Sequence, residues 1–242
     1  MNLVLIDPVE FVAADEAVLD ERRFIHLTEV LKLDQRGGSF RAGVRGGKVG
    51  RGKVLEFDGG SRRVRIRFTP EAEPPAPLPV ILAAALPRPK SFRKVLHAAV
   101  SMGVKELHFF AAWKVDKSYW NTPWIADPLL EAETVLALEQ AVDTVMPAIR
   151  FHRRFKIFAE DELPTIARGT RLLLAHPGEG AAPCPAPGRE RTTLLLGPEG
   201  GFTAYEVDLL QSIGAQQISF GKRILRTEFA LPVLLAKLFE EV

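Results

Sequence analysis

Four prolines fall within six residues, at Pro74, Pro75, Pro77 and Pro79 of a 242-residue chain. Proline fixes φ at about −65° and donates no backbone hydrogen bond, so this stretch continues neither a helix nor a central strand. It reads as an extended connector between residues 1–72 and 78–242. The two sides carry different hydrophobic periods, which calls for two domains of different kinds.

Ahead of the connector the period is two. Val64, Ile66 and Phe68 alternate with Arg63, Arg65 and Arg67, the pattern of a strand with one buried face. Gly37-Gly38, Gly46-Gly47 and Gly59-Gly60 supply turns, and Arg45-Gly46-Gly47-Lys48 suits a hairpin tip. Short antiparallel strands with one charged face predict a small β-barrel, with residues 24–31 as a short helix packed at its end.

The net charge of +2 hides a strong asymmetry: residues 1–35 hold 3 basic and 8 acidic side chains, residues 36–69 hold 10 and 2. Clustered positive charge on one small module is the footprint of a polyanion-binding surface such as one for RNA. Arg41, Arg45, Arg63, Arg65 and Arg67 are the candidate contacts. A solvated sheet face rich in arginine is the alternative.

Beyond the connector strands and helices alternate. Strands are predicted over 78–86, 106–110, 148–151, 171–175, 193–196 and 217–220. Helices are predicted over 92–102, 129–142, 204–213 and 228–240. This succession specifies an α/β domain with a largely parallel sheet. The apolar run Val80 to Leu86 is far too short to span a bilayer, and no basic-then-apolar leader is visible. A single cysteine, Cys184, excludes an internal disulfide framework and a multi-cysteine zinc site. The expectation is a cytoplasmic protein with neither a metal nor a membrane partner.

Ligands of open α/β sheets bind at the carboxyl ends of strands. Three predicted strands end there in glycine-containing loops: His176–Gly180, Gly197-Pro198-Glu199-Gly200-Gly201, and the segment from Gly221 to Glu228. Glycine lets the backbone approach a ligand closely. The candidate cofactor contacts are Ala175, Gly178, Leu196, Gly197, Gly200, Gly201, Phe220, Gly221, Ile224 and Leu225. Neither G-x-G-x-x-G nor a P-loop occurs, so a nucleotide phosphate is not the expected occupant. Plain tight turns between strand and helix are the alternative. Thr203 and Glu206 form a capping-box pair that starts the next helix.

The stretch LLGPEGGFTAYEVDLL, followed by KRILRTEFA, closely resembles the C-terminal signature of the RsmE family. These are the 16S ribosomal RNA N3-uridine methyltransferases of the SPOUT superfamily. Residues 23–33 resemble the family's N-terminal motif, which adds Arg23 to the candidate RNA contacts. The resemblance implies a PUA-like β-barrel followed by an α/β SPOUT domain whose chain threads a trefoil knot. It further implies S-adenosyl-L-methionine held in the knotted loops, a homodimer, and 16S ribosomal RNA of the small subunit as substrate.

The implied step is attack by uridine N3 on the sulfonium methyl group. A carboxylate to take the N3 proton and a guanidinium to balance charge on O2 and O4 would assist it. Glu199 and Glu228 are candidates for the first role and Arg226 for the second. Each has a structural alternative: Glu228 sits where a helix dipole favours a carboxylate, and Arg226 could pair with Glu199. His26 and His176 read as packing or capping residues, and Tyr119-Trp120 as a lid over its own core, with stacking on a base as the alternative. The basic, aromatic run 150–156 fits an RNA contact or a solvated strand edge equally well.

The middle of the chain departs from the family pattern at residues 97–104, at 113–120, at Glu139-Gln140-Ala141-Val142-Asp143 and at Phe229. These departures bear on the nucleotide methylated more than on methyl transfer. A SPOUT methyltransferase for another RNA position, or a non-catalytic ribosome-assembly factor, are the competing readings.

Overall fold

A computed structural model describes residues 1–34 and 38–240, so Gly37 of the expected Gly37-Gly38 turn lies outside the described residues. The chain divides into two compact units, Met1–Ala76 with Val135–Met146, and Pro77–Thr134 with Pro147–Val242.

The first unit contains β1 (Val4–Ile6), β2 (Glu16–Leu19), α1 (Glu21–Ile25), β3 (Ser39–Val44), β4 (Val49–Asp58) and β5 (Arg63–Ala72). They build a five-stranded sheet in the order β1-β3-β4-β5-β2, with β1 and β2 at its edges. The sheet is not wholly antiparallel as expected, because β1 pairs with β3 in parallel. The residues between β1 and β3, which include β2 and α1, give the chain the length a parallel return requires. Val64, Ile66 and Phe68 of β5 face the core with Leu19, Leu27 and Phe40, while its arginines face out. Just ahead of β5, Arg62 turns the chain with φ 52, and the Asp58 side chain accepts from the Gly60 and Ser61 amides at 2.9 and 3.2 Å.

The Asp20 side chain caps α1, and the helix continues as a π-helical turn over His26–Val30. Strands β1 and β2 escaped the periodicity argument because three and four residues are too few to establish a period.

The second unit contains β6 (Val80–Ala85), α2 (Pro89–Ser101), β7 (Glu106–Phe110), the start of α3 (Asp127–Ala141), β8 (Ala148–His152), α4 (Phe155–Ile157), α5 (Leu163–Ile166), β9 (Arg171–Ala175), β10 (Ala182–Pro183), β11 (Thr192–Leu196), α6 (Ala204–Ser212), β12 (Gln216–Ser219) and α7 (Thr227–Leu238). Its seven strands run parallel in the order β10-β12-β9-β11-β6-β7-β8. Strands β6 and β11 lie inside the sheet and are buried along their whole length, which is why they read as unbroken apolar runs rather than alternations.

Residues 155–166, which carried no helical expectation, are helical, with a π-helical stretch Phe158–Glu162 between α4 and α5. The cause is aromatic packing: Phe158 stacks on Phe110 at 4.6 Å between ring centroids, and Phe110 stacks on Phe202 at 6.2 Å. Trp120 is buried and meets Phe151 edge-on. Among the described residues no helix is long and apolar enough to cross a membrane.

The last residues of α3 belong to the first unit, and Glu139 explains why. Its carboxylate has no exposed surface, pairs with Arg22 at 2.7 and 3.0 Å, and accepts the Leu5 amide at 3.2 Å.

Candidate active site

Strands β12, β9 and β11 are parallel neighbours, with Ala175 level with both Leu196 and Ile218. Their carboxyl ends therefore open side by side, which is where an open α/β sheet binds ligands. A cavity of about 280 Å³ occupies that position.

Ala175, Leu196, Gly197, Gly200, Gly201, Phe220, Gly221, Ile224 and Leu225 line it. Gly178 does not. It borders an adjoining depression with Asp208, Gln211 and Gln217. His176, Pro198, Glu199, Arg223, Thr227, Ala230 and Leu234 also line the cavity wall. Of these, Ala230 and Leu234 recur on one face of α7, a spacing of four that the sequence displays.

Each loop is shaped by its own residues. Gly201 has φ +68, a conformation that favours glycine, and its amide donates to the Pro198 carbonyl at 2.8 Å. A Cβ on Gly197 would meet the Phe202 ring at 3.0 Å, so glycine is needed for close packing there. The capping box then starts α6: Thr203 donates its amide to Glu206 Oε2 at 2.8 Å, and the Glu206 amide donates to Thr203 Oγ1 at 3.3 Å. Glu206 is buried, and its Oε1 accepts the Trp113 amide at 2.7 Å. Thr227 Oγ1 reaches the Gly197 carbonyl at 3.5 Å, joining the first turn of α7 to the Gly197–Gly201 loop.

Three titratable or charged side chains line the wall: His176, Glu199 and Arg223. Desolvation, and then the nearby Lys114, push the His176 imidazole below its ordinary pKa, which favours its neutral form. Glu199 Oε1 accepts the Arg88 amide at 3.0 Å.

The other two candidate catalytic residues lie outside the lining. Arg226 is exposed at the N-cap of α7 and has no acidic partner among the described residues. The alternative Arg226–Glu199 pair is not formed; Glu199 Oε1 accepts the Arg88 amide. Glu228 is buried and turned toward α2, with Oε1 3.8 Å from Lys94 Nζ and Oε2 buried without a hydrogen-bond partner.

The candidate RNA contacts divide in the same way. Arg23 is buried, held by Glu10, by Asp20 at 2.8 Å and by the Leu5 carbonyl at 3.0 Å, so it braces the first unit rather than facing out. Arg45 pairs with Asp7 at 3.2 Å, Arg65 with Glu56 at 3.0 Å, and Arg67 with Glu16 at 2.7 Å. Arg41 and Arg63 are exposed with no acidic partner among the described residues. Arg45, Arg62 and Arg67 thus pair with the acidic segment before them, a complementarity that the segment charges contain.

An apolar floor, glycine backbone and few charges suit a ligand held by main-chain groups and apolar contact. The profile of the RNA methyltransferase domain matches residues 74–239, which include every lining residue. The chain belongs to the RNA methyltransferase domain family.

This methyltransferase is 28% identical over 235 residues to the ribosomal RNA small subunit methyltransferase E of Treponema pallidum (strain Nichols), covering 95% of this chain and 87% of the relative. It is 27% identical to the protein of the same name from Synechocystis sp., across 97% of this chain and 76% of the relative. Its fold matches a Legionella pneumophila methyltransferase solved with bound SAM, at TM-score 0.76 and 22% identity over 97% and 95% of the two chains. It also matches the small subunit methyltransferase E of Neisseria gonorrhoeae bound to S-adenosyl methionine, at TM-score 0.74 and 17% identity over 97% and 96%.

Proposed function

We propose that this chain transfers the methyl group of S-adenosylmethionine to N3 of a uridine in the 16S RNA of the small ribosomal subunit. The observation that carries the reading is the glycine-walled cavity at the level ends of β12, β9 and β11. Relatives covering nearly the whole chain are named as methyltransferases of that RNA, and similar folds hold S-adenosylmethionine.

The cavity wall fits such a cofactor. Leu196, Ile218, Leu225 and Leu234 offer apolar surface, and the Gly197–Gly201 and Gly221–Leu225 segments offer backbone groups. Among the described residues, Arg223 is the one lysine or arginine in the wall. At Gly221 a Cβ would meet nothing within 4 Å, so the backbone there fronts open space. The bound cofactor supplies an electrophilic methyl on a sulfonium.

The chain's own residues then have two tasks. Glu199 takes the N3 proton: Oε1 is engaged by the Arg88 amide, which leaves Oε2 as the acceptor. Arg226, next to the lining residues Leu225 and Thr227, balances the negative charge that spreads onto O2 and O4 when N3 loses its proton, charge that is discharged as the N3–methyl bond forms and the sulfur–methyl bond breaks. Glu228, turned toward Lys94, holds α7 to α2 instead.

The five-stranded unit is proposed as a PUA-like RNA-docking barrel. Arg41 lies opposite Arg51, and Lys53 opposite Arg67, across β3, β4 and β5. Arg51 pairs with Glu71 and Arg67 with Glu16, which leaves Arg41 and Lys53, exposed on β3 and β4, to contact phosphates. A trefoil knot through the α/β unit, a homodimer and a cytoplasmic location complete the reading.

Calorimetry tests the cofactor claim. S-adenosylmethionine should bind the full chain, and Gly221→Val, which adds a side chain to the cavity wall without a backbone clash, should bind it at least tenfold more weakly. Absence of binding by the natural chain at millimolar cofactor would end the proposal.

A further inference from the structure

Trp113 is 83% exposed, yet its backbone amide and the turn that carries it are hydrogen-bonded. It sits on a turn closed by the Val115 amide donating to the Ala112 carbonyl at 3.0 Å, between two residues that are themselves buried. Its own amide donates to the buried Glu206 carboxylate at 2.7 Å. The next side chain, Lys114, donates from Nζ to the Gly200 carbonyl at 2.8 Å, and Gly200 lines the cofactor cavity.

A rigid turn therefore presents a bare indole one residue from the cavity wall. The other two tryptophans are used differently: Trp120 packs on Phe151, and Trp124 lies under the Arg93 guanidinium at 4.3 Å. Trp113 has no ring or cation partner among the described residues.

We infer that Trp113 is the stacking surface for an unpaired RNA base beside the cofactor cavity. A single flat ring, fixed by its backbone and bordered by Lys114, suits the face of a base with its phosphate nearby. Tyr205, which precedes Glu206 in the sequence, is a second exposed aromatic side chain, at 59% exposure. A protein partner would favour a contiguous apolar patch free of lysine. This inference rests on the RNA-methylation reading of the cavity, and it adds a positioning residue for the substrate.

The test compares the natural full chain with Trp113→Ala, Trp113→Phe and Trp113→Leu. Small ribosomal subunits from a strain lacking this chain serve as substrate, with radiolabelled S-adenosylmethionine. Trp113→Ala should lower kcat/KM for the subunits roughly tenfold or more, the scale of one lost base stack. Trp113→Phe should recover most of that loss and Trp113→Leu little. Cofactor affinity and molecular mass in solution should stay as in the natural chain. In the natural chain the subunits should also shield indole emission from acrylamide, and this protection should be absent in Trp113→Phe. Equal kcat/KM in the natural chain and Trp113→Ala would overturn the inference, as would recovery by leucine equal to that by phenylalanine. A changed mass in Trp113→Ala would assign the indole to a contact between copies and overturn it too. A natural chain that binds the cofactor but methylates no subunit would instead overturn the functional reading, and the inference with it.

Discussion

Glu199 Oε1 accepts the Arg88 amide at 3.0 Å, joining the Gly197–Gly201 loop to the residue that caps α2 across 111 positions of sequence. One carboxylate thus has a structural oxygen and a second oxygen left over, and substitutions separate the two. Glu199→Gln keeps an acceptor for the Arg88 amide and loses the proton acceptor. It should retain cofactor affinity within about threefold while kcat falls by about 100-fold or more, the range for a lost general base. Glu199→Ala should lose both. Full turnover by the glutamine variant in a labelled-methyl assay would confine Glu199 to holding α2.

Arg226 is exposed and outside the cavity wall, so its removal should leave the cofactor in place. Arg226→Ala should lower kcat by about 100-fold, the cost of one lost charge-stabilising donor, with cofactor affinity little changed. Calorimetry alongside single-turnover kinetics measures the two separately. Equal losses in both would make Arg226 a cofactor-binding residue.

Glu139 is fully buried while its partner Arg22 keeps 42% of its side chain exposed. Losing the glutamate leaves a cation that water can partly reach, so the penalty is smaller than for a wholly buried pair. Glu139→Ala should cost about 2 kcal/mol of stability, measured by urea denaturation. It also leaves the Leu5 amide without its acceptor. A midpoint unchanged from the natural chain would refute the role assigned to this residue.

Stability should fall as the solution is acidified. Burial pushes the His108 imidazole below its ordinary pKa of 6.5, with His152 adding to the effect and Glu106 opposing it. The unfolded chain then takes up a proton near pH 6.5 that the folded chain refuses until its lower pKa is reached. The stabilisation is therefore present above that range and lost as pH falls through it. Thermal denaturation between pH 8 and 5 should show the decline, and His108→Asn should flatten it. A slope unaffected by that substitution would assign the decline elsewhere.

Unpaired and paired arginines should behave differently toward RNA. Arg41→Ala and Arg63→Ala remove exposed cations without acidic partners, and each should reduce the salt slope of RNA binding by about one. Arg23→Ala should instead lower stability, since Arg23 is buried among Glu10, Asp20 and the Leu5 carbonyl. Filter binding across a salt series, with melting curves, distinguishes the outcomes.

Elements with a long or strong pattern were legible in the sequence. β7 and β9 have the predicted bounds, and β6 and β11 follow their apolar runs. What escaped depends on contacts distant in sequence. The helical stretch from Phe155 to Ile166 exists because Phe158 finds Phe110, and no local period announces that. The cavity loops were readable as glycine turns at strand ends, but the direction of Glu228 was not. Its position in the first turn of α7 is local, whereas its approach to Lys94 follows from the packing of α7 on α2. Charge summed along the chain does not show which arginines are paired. Folding returns Glu16 to Arg67 and Asp7 to Arg45, cancelling much of that charge.

The most direct test of the central claim is mass spectrometry of the nucleosides of 16S ribosomal RNA. Small subunits from a strain lacking this chain are incubated with the purified protein and isotopically labelled S-adenosylmethionine. The account predicts a labelled methyl on N3 of uridine, present with the natural chain and absent with Gly221→Val at low cofactor. Label on another nucleotide or ring position, or none despite bound cofactor, would contradict it.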